Sequence, residues 1–181
     1  MFKFNNKLLK NIKEQGNIIL KSQFLTQFTP LERYEFLQLC HRRKYKENEY
    51  IYYQNDPGTG MYFIESGRVQ LIVVNNLDDS DTGNITFELE APESFGAMSI
   101  GYELRRMSSA KCLTDCTLLG FFKPDFETLK KRHPEIALKF IEAISMLAMR
   151  QLERTTRKLE EATDTKTAFS IQFNTYYEDK G

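Results

Sequence analysis

The residues of this chain best suited to chemistry are a glycine turn at Phe95-Gly96 and an arginine downstream of it, Arg106, and the chemistry they suit is anion binding. In FGAMSIGYELRRMSSAKC, residues 95–112, the Phe-Gly turn opens onto a short helical run. Backbone N–H groups at such a start, together with a fixed guanidinium, can surround a compact phosphate with charge-assisted hydrogen bonds. Gly96 lets the backbone approach closely, Met98 offers its N–H, and Arg106 supplies the fork of donors. Ser108 and Ser109 could donate to the phosphate or to a base edge. The competing reading of Arg106 is a surface cation beside Glu103, and that of the two serines is packing within a strand. Arg105 is the neighbour expected to face solvent.

Other constellations are weaker. His41, Arg42 and Arg43 resemble an anion site but read more simply as solvated residues joining a helix to a strand. Asp78, Asp79 and Asp81 lack the glycine and terminal glutamate spacing of a calcium loop and read as a long charged hairpin loop. Tyr50, Tyr52 and Tyr53 lack the interleaved basic groove that single-stranded nucleic acid requires. Cys40, Cys112 and Cys116 fit neither a disulfide framework nor a metal site and read as reduced, half-buried thiols. With two histidines, both at helix borders, no nucleophile, acid–base pair or metal site stands out, so no catalytic residue is assigned and a non-enzymatic protein is expected.

Elements that could position the cassette follow from pattern. Thr29-Pro30 reads as an N-cap with proline at the first helical position, inside the apolar spacing of FLTQFTPLERYEFLQLC, residues 24–40. From Arg42 to Lys123 short strands alternate with turn signals, which argues for a small β-barrel or sandwich. Gly67 falls where a tight hairpin between MYFI and VQLIVV would need a positive φ. PDFETLKKRH then begins a helix at Pro124, and His133-Pro134 begins a second that runs to about Ala162. On that helix Ile136, Phe140, Ala143, Ile144 and Leu147 form a face expected to pack on the barrel. Leu138, Ile141, Ser145, Ala148, Leu152, Thr155 and Leu159 follow the three-four alternation of a coiled-coil seam and predict a homodimer. The final stretch, with Phe169, Ile171 and Phe173 alternating, fits either a disordered tail or an added edge strand.

Composition excludes several partners. Lys and Arg total 25 against 25 Asp and Glu, so no general attraction to nucleic acid or anionic lipid is expected. No apolar run is long enough for a signal peptide or a membrane span, which predicts a cytoplasmic protein with no membrane partner. The expected organisation is a lead over residues 1–20, a barrel with flanking helices over 21–132, the long helix over 133–162 and a tail over 163–181.

These elements resemble the cyclic nucleotide-binding domain found in the catabolite activator protein and other Crp/Fnr-type regulators, in kinase regulatory subunits and in nucleotide-gated channels. The resemblance spans about Phe24 to Ala162 and rests on NDPGTGMYFIESGRVQL, residues 55–71, on the 95–112 cassette, and on the helical entry that contains His133-Pro134. It implies a mainly β, α+β fold: a double-stranded β-helix, or jelly-roll, barrel between an N-terminal helix and a long C-terminal helix. It also implies a phosphate cassette of Phe95, Gly96, Ala97, Met98, Arg106, Met107, Ser108 and Ser109. Ala97 stands where the family carries the glutamate that accepts from the ribose hydroxyl, Arg105 replaces a usual proline, and Met107 replaces a smaller residue.

The function implied is a stand-alone regulatory sensor. Its ligand would be cyclic AMP, another cyclic nucleotide or a related phosphate, bound weakly or atypically between barrel and long helix and signalled through that helix to an effector protein. Two alternatives remain open: a degenerate, ligand-free interaction scaffold, and a Crp/Fnr relative that acts on DNA only through a partner. About twenty residues follow Ala162, too few for a three-helix DNA reader, so direct DNA binding is not expected.

Overall fold

The structure is a computed structural model, and it describes residues 18, 21–74, 84–101 and 104–174. Two compact units divide the chain, residues 1–143 and 144–181. The acidic loop with Asp78, Asp79 and Asp81 and most of the N-terminal lead lie outside the described residues.

In the first unit, helix α1, Pro30–Leu37, starts where Thr29 caps it. The Thr29 hydroxyl accepts from the Glu32 N–H at 3.3 Å, and the Glu32 carboxylate accepts from the Thr29 N–H at 2.8 Å. Two orphan donors of the helix end are thereby satisfied. Lys139 donates to both Glu32 oxygens at 2.8 Å, and this bond, with the Thr29 N–H, holds the Glu32 carboxyl below its usual range.

Eight strands follow: β1 His41–Tyr45, β2 Tyr50–Tyr52, β3 Gly60–Ser66, β4 Arg68–Val73, β5 Ile85–Glu90, β6 Ser94–Phe95, β7 Ser109–Cys112 and β8 Cys116–Phe122. They form two antiparallel sheets ordered β1-β8-β3-β6 and β2-β7-β4-β5, the jelly-roll barrel that the resemblance implies. Four helices complete the described elements: α2 Met98–Gly101, α3 Lys123–Arg132, α4 Pro134–Ala162 and α5 Thr165–Asn174.

Strands β3 and β8 read as unbroken apolar runs because both their faces are covered. Tyr62, Ile64, Cys116 and Leu118 join Val69, Phe95, Ala110 and Cys112 in the barrel interior. On the other face, Phe63 and Phe121 meet a cluster of aromatic rings: Phe36 lies 5.8 Å from Phe63, 4.6 Å from Phe121 and 5.5 Å from Phe140. Ile136 and Phe140, at the start of α4, are buried as that face predicts.

Four sequence expectations need correction. Gly67 does have a positive φ, +91°, but β3 and β4 belong to different sheets, so it turns the chain from one sheet to the other and makes no hairpin. The local signal is the same for both turns, and only long-range pairing separates them. A Cβ at Gly67 would stand 2.6 Å from the Asp115 carbonyl oxygen, so Gly67→Ala is expected to cost about 1–3 kcal/mol, read as a lowered urea midpoint. His41, Arg42 and Arg43 are exposed, as expected, but they are the first residues of β1, paired with Gly120, Leu119 and Leu118, and not a connector. Cys112 and Cys116 are fully buried, and only Cys40 is half-buried; burial first, then the neighbouring Cys116, pushes the Cys112 thiol up to about 12.

The fourth correction concerns the tail, where residues 165–174 form α5 and neither a strand nor a disordered segment. Asp164 caps it, accepting from the Thr167 N–H at 3.0 Å and from its hydroxyl at 2.6 Å. A helix scatters alternate residues over its surface, so the period-two spacing of Phe169 and Ile171 builds no common face. In this second unit Ala168 is buried, while Ser145, Leu152 and Thr155 of α4 are exposed and Ala148 and Leu159 half-buried. The seam residues of the first unit, Leu138 and Ile141, are also exposed. Among the described residues, no helix is long and apolar enough to cross a membrane, and no group of His, Cys, Asp and Glu could hold a metal ion.

Candidate functional site

One backbone segment, residues 55–57, positions Arg106. Its N–H donates to the Asp56 carbonyl at 2.9 Å and its carbonyl accepts from the Asn55 N–H at 2.8 Å, and Pro57 pairs with Arg105. The NDPG loop thus clamps both residues, and alternation sends them to opposite sides. Arg105 is exposed and donates to the Asn55 carbonyl at 2.8 Å. Arg106 is 5% exposed, as its choice over Arg105 predicts, and the surface-cation reading falls.

The buried guanidinium is held on three sides. One terminal nitrogen donates to the Ser99 hydroxyl at 3.1 Å and the other to the Gly60 carbonyl at 2.7 Å. Its carbon lies 4.2 Å over the Tyr52 ring, a cation–π contact. The remaining nitrogen, Nε, is buried without a hydrogen-bond partner. Among the described residues no carboxylate forms an ion pair with Arg106. A permanent charge kept from water without a counter-ion is costly, and an anion bound here would remove that cost.

Gly96 sets the approach from the other side. Its φ is +80°, and a Cβ there would stand 2.5 Å from the Arg106 terminal nitrogen. Glycine is therefore required both by the backbone conformation and by the guanidinium packed against it. The chain then enters α2, whose Ser99 returns toward Arg106.

The structure brings together part of the predicted cassette. Gly96 and Arg106 meet directly. Ala97 is buried and offers no acceptor, and Met98 is half-buried beside it. Phe95 is a core residue, stacked 5.4 Å from Tyr62. Ser109 is buried, and its hydroxyl accepts from the Gln54 N–H at 2.9 Å, which ties β7 to the chain after β2. Ser108 hydrogen-bonds the Tyr52 side chain. Met107 is corrected: it is 82% exposed, because the chain that turns Arg106 inward turns its neighbour out, so its bulk cannot fill the site.

Ser99, the Gly60 carbonyl and Tyr52 were missed. The signals available were weak: Ser99 stands one helical turn after Gly96, and Tyr52 lies in a tyrosine-rich strand whose inward member only the sheet identifies. Burial raises the Tyr52 hydroxyl above its ordinary pKa, against the charge of Arg106. Burial, with Tyr45 next, pushes Tyr62 up to about 12. Both phenols therefore stay neutral and can donate.

Comparison with known proteins gives the same outline. The family model described as "Cyclic nucleotide-binding domain" matches residues 42–133. The cyclic AMP receptor protein of Thermus thermophilus is 35% identical over 102 residues, which cover 56% of this chain and 45% of that one. The solved structure of the Thermus thermophilus catabolite activator protein superposes with a TM-score of 0.67 at 28% identity, covering 77% of this chain and 62% of its own. A cyclic nucleotide-binding domain from Methylobacillus flagellatus superposes with a TM-score of 0.66 at 17% identity, covering 85% of each chain, and shows the fold alone. The chain spans less than half the length of the curated relatives it matches.

Proposed function

The chain belongs to the cyclic nucleotide-binding domain family, and from that premise we propose that it is a regulatory sensor domain whose ligand is a cyclic nucleotide or related phosphate. The observation that carries this reading is Arg106: a buried guanidinium whose Nε has no hydrogen-bond partner and which has no carboxylate partner among the described residues, set against a positive-φ glycine. An aromatic surface adjoins it. Tyr52, Ala110, Leu71 and Phe87 form one cross-strand row on the barrel's inner face, and Phe87 is 57% exposed.

Ala97 sets the strength of binding. With no acceptor there for a ribose hydroxyl, the affinity loses roughly 1.5–3 kcal/mol, about tenfold to a hundredfold. Calorimetric titration with cyclic AMP and cyclic GMP tests the reading: micromolar-to-millimolar binding supports it, and Ala97→Glu is expected to tighten it by about tenfold or more. Absence of heat with every cyclic mono- or dinucleotide at millimolar concentration removes it.

A second reading, a ligand-free interaction scaffold, has one observation in its favour. Ser99 and the Gly60 carbonyl already accept one N–H from each terminal nitrogen of Arg106. If Ala97→Glu gains no affinity, this reading stands.

In either case the output is proposed to run through α4, whose Phe140 packs on Phe36 and Phe121, and the exposed row Leu138, Ile141 and Leu152 is proposed as a homodimer seam. Sedimentation velocity should give a dimer that Leu152→Asp converts to monomer; a wild-type monomer at high micromolar concentration removes the seam.

A further inference from the structure

A second guanidinium stands at the exposed edge of the first sheet, on its inner side. Strand β1 registers Arg43 opposite Leu118 and Tyr45 opposite Cys116, and both partners belong to the interior core. Residues directly paired across a ladder share a face, so Arg43 stands on the inner one. Its neighbour Arg42, on the outer face, pairs with Glu65 at 2.8 Å. Among the described residues Arg43 pairs with no carboxylate; its guanidinium carbon lies 4.9 Å over the Phe122 ring.

A continuous series of rings joins this cation to the first. Phe122 meets Tyr62 edge-on at 5.7 Å, Tyr62 lies 6.3 Å from Tyr52, and Tyr52 carries Arg106 at 4.2 Å. The Tyr62 hydroxyl feels both charges. The inner face thus offers an aromatic strip with a guanidinium at each end. One of these is buried and the other is exposed at the edge of the sheet.

A guanidinium stacked on a ring keeps its plane fixed and presents an edge made only of donors. It accepts a partner with two acceptors side by side. Guanine offers such an edge in O6 and N7, and so does a phosphate, whereas adenine sets an N–H donor beside N7.

We propose that Arg43 is a second ligand-binding group, so that the ligand carries, besides the phosphate held at Arg106, a bidentate acceptor edge at its other end. That edge is either a guanine base or a second phosphate. The proposal rests on the sensor reading given above.

Calorimetric titration of the full chain with cyclic AMP, cyclic GMP, cyclic di-AMP and cyclic di-GMP, repeated on Arg43→Ala, tests it. If the edge is guanine, cyclic GMP binds about tenfold or more tighter than cyclic AMP, and Arg43→Ala removes the difference while cyclic AMP affinity holds. If the edge is a second phosphate, both dinucleotides bind tighter than both mononucleotides, and Arg43→Ala removes that advantage. Equal affinities of wild type and Arg43→Ala for all four ligands overturn the proposal and leave the sensor reading intact. Failure of the wild type to bind any of the four overturns both. Arg43 is exposed and its removal opens no cavity, and an unchanged thermal transition of Arg43→Ala shows that the variant folds.

Discussion

Replacing Arg106 with glutamine is expected to abolish measurable ligand binding, a loss of at least about a hundredfold, while the ligand-free protein stays folded. The first part follows from charge. A phosphate held by a buried guanidinium takes part in charge-assisted bonds worth about 1.5–3 kcal/mol each, and glutamine supplies neither the charge nor the fork. Arg106→Lys is expected to recover only part of the affinity, because a point charge on a flexible stem cannot reproduce two parallel donors. The second part follows from the ligand-free state. Arg106 loses bonds to Ser99 and Gly60 when replaced, but the substitution also removes a buried charge without a carboxylate partner among the described residues, and the two effects oppose one another.

The measurement is thermal unfolding with and without ligand. Ligand at a hundred times its dissociation constant stabilises the wild type by about 2.7 kcal/mol. The shift should vanish in Arg106→Gln, with the ligand-free transition little changed. A full ligand-induced shift in Arg106→Gln would place the phosphate elsewhere.

Replacing Phe36 with alanine is expected to destabilise the protein by about 3–5 kcal/mol, enough to unfold a marginal domain. Phe36 is fully buried. It meets Phe28, Phe63, Phe121 and Phe140, and so joins α1, the outer face of the first sheet and the start of α4. Rings this close do not collapse into the space a missing phenyl leaves, so the cavity cost adds to the lost transfer free energy. Urea denaturation should show a lowered midpoint. A change below about 1 kcal/mol would mean that α1 contributes little to the core.

Much of this was legible in the sequence. Thr29-Pro30 and His133-Pro134 marked helix starts that the structure keeps, because capping and proline geometry are local. Gly67 and the short β segments announced a barrel, since turn chemistry and alternation act over a few residues. Arg106 is buried and Arg105 exposed, as expected, because alternation lets only one of two neighbours face inward.

What failed depended on partners distant in the chain. Gly67 has the φ of a tight turn whether its two strands pair with each other or with others, and only the pairing of β3 with β8 and of β4 with β7 makes it a crossing between sheets. His41 to Arg43 looked polar enough for a connector. Their place in β1 comes from pairing with Leu118, Leu119 and Gly120, and that pairing turns Arg43 toward the interior. Met107 was placed in the cassette, but the NDPG loop clamps Arg106 inward and leaves its neighbour in solvent.

The sequence by itself determined the family, the barrel with its flanking helices, and an arginine downstream of a Phe-Gly turn that is followed by alanine, because each is written in local spacing and residue type. Only the tertiary structure decided what surrounds that arginine. Ser99, the Gly60 carbonyl and Tyr52 come to it from three separate elements, and the pairing of β1 with β8 places Arg43 on the inner side of its own sheet. Side-chain direction depends on strand register, and register is set by pairing between residues far apart in the chain.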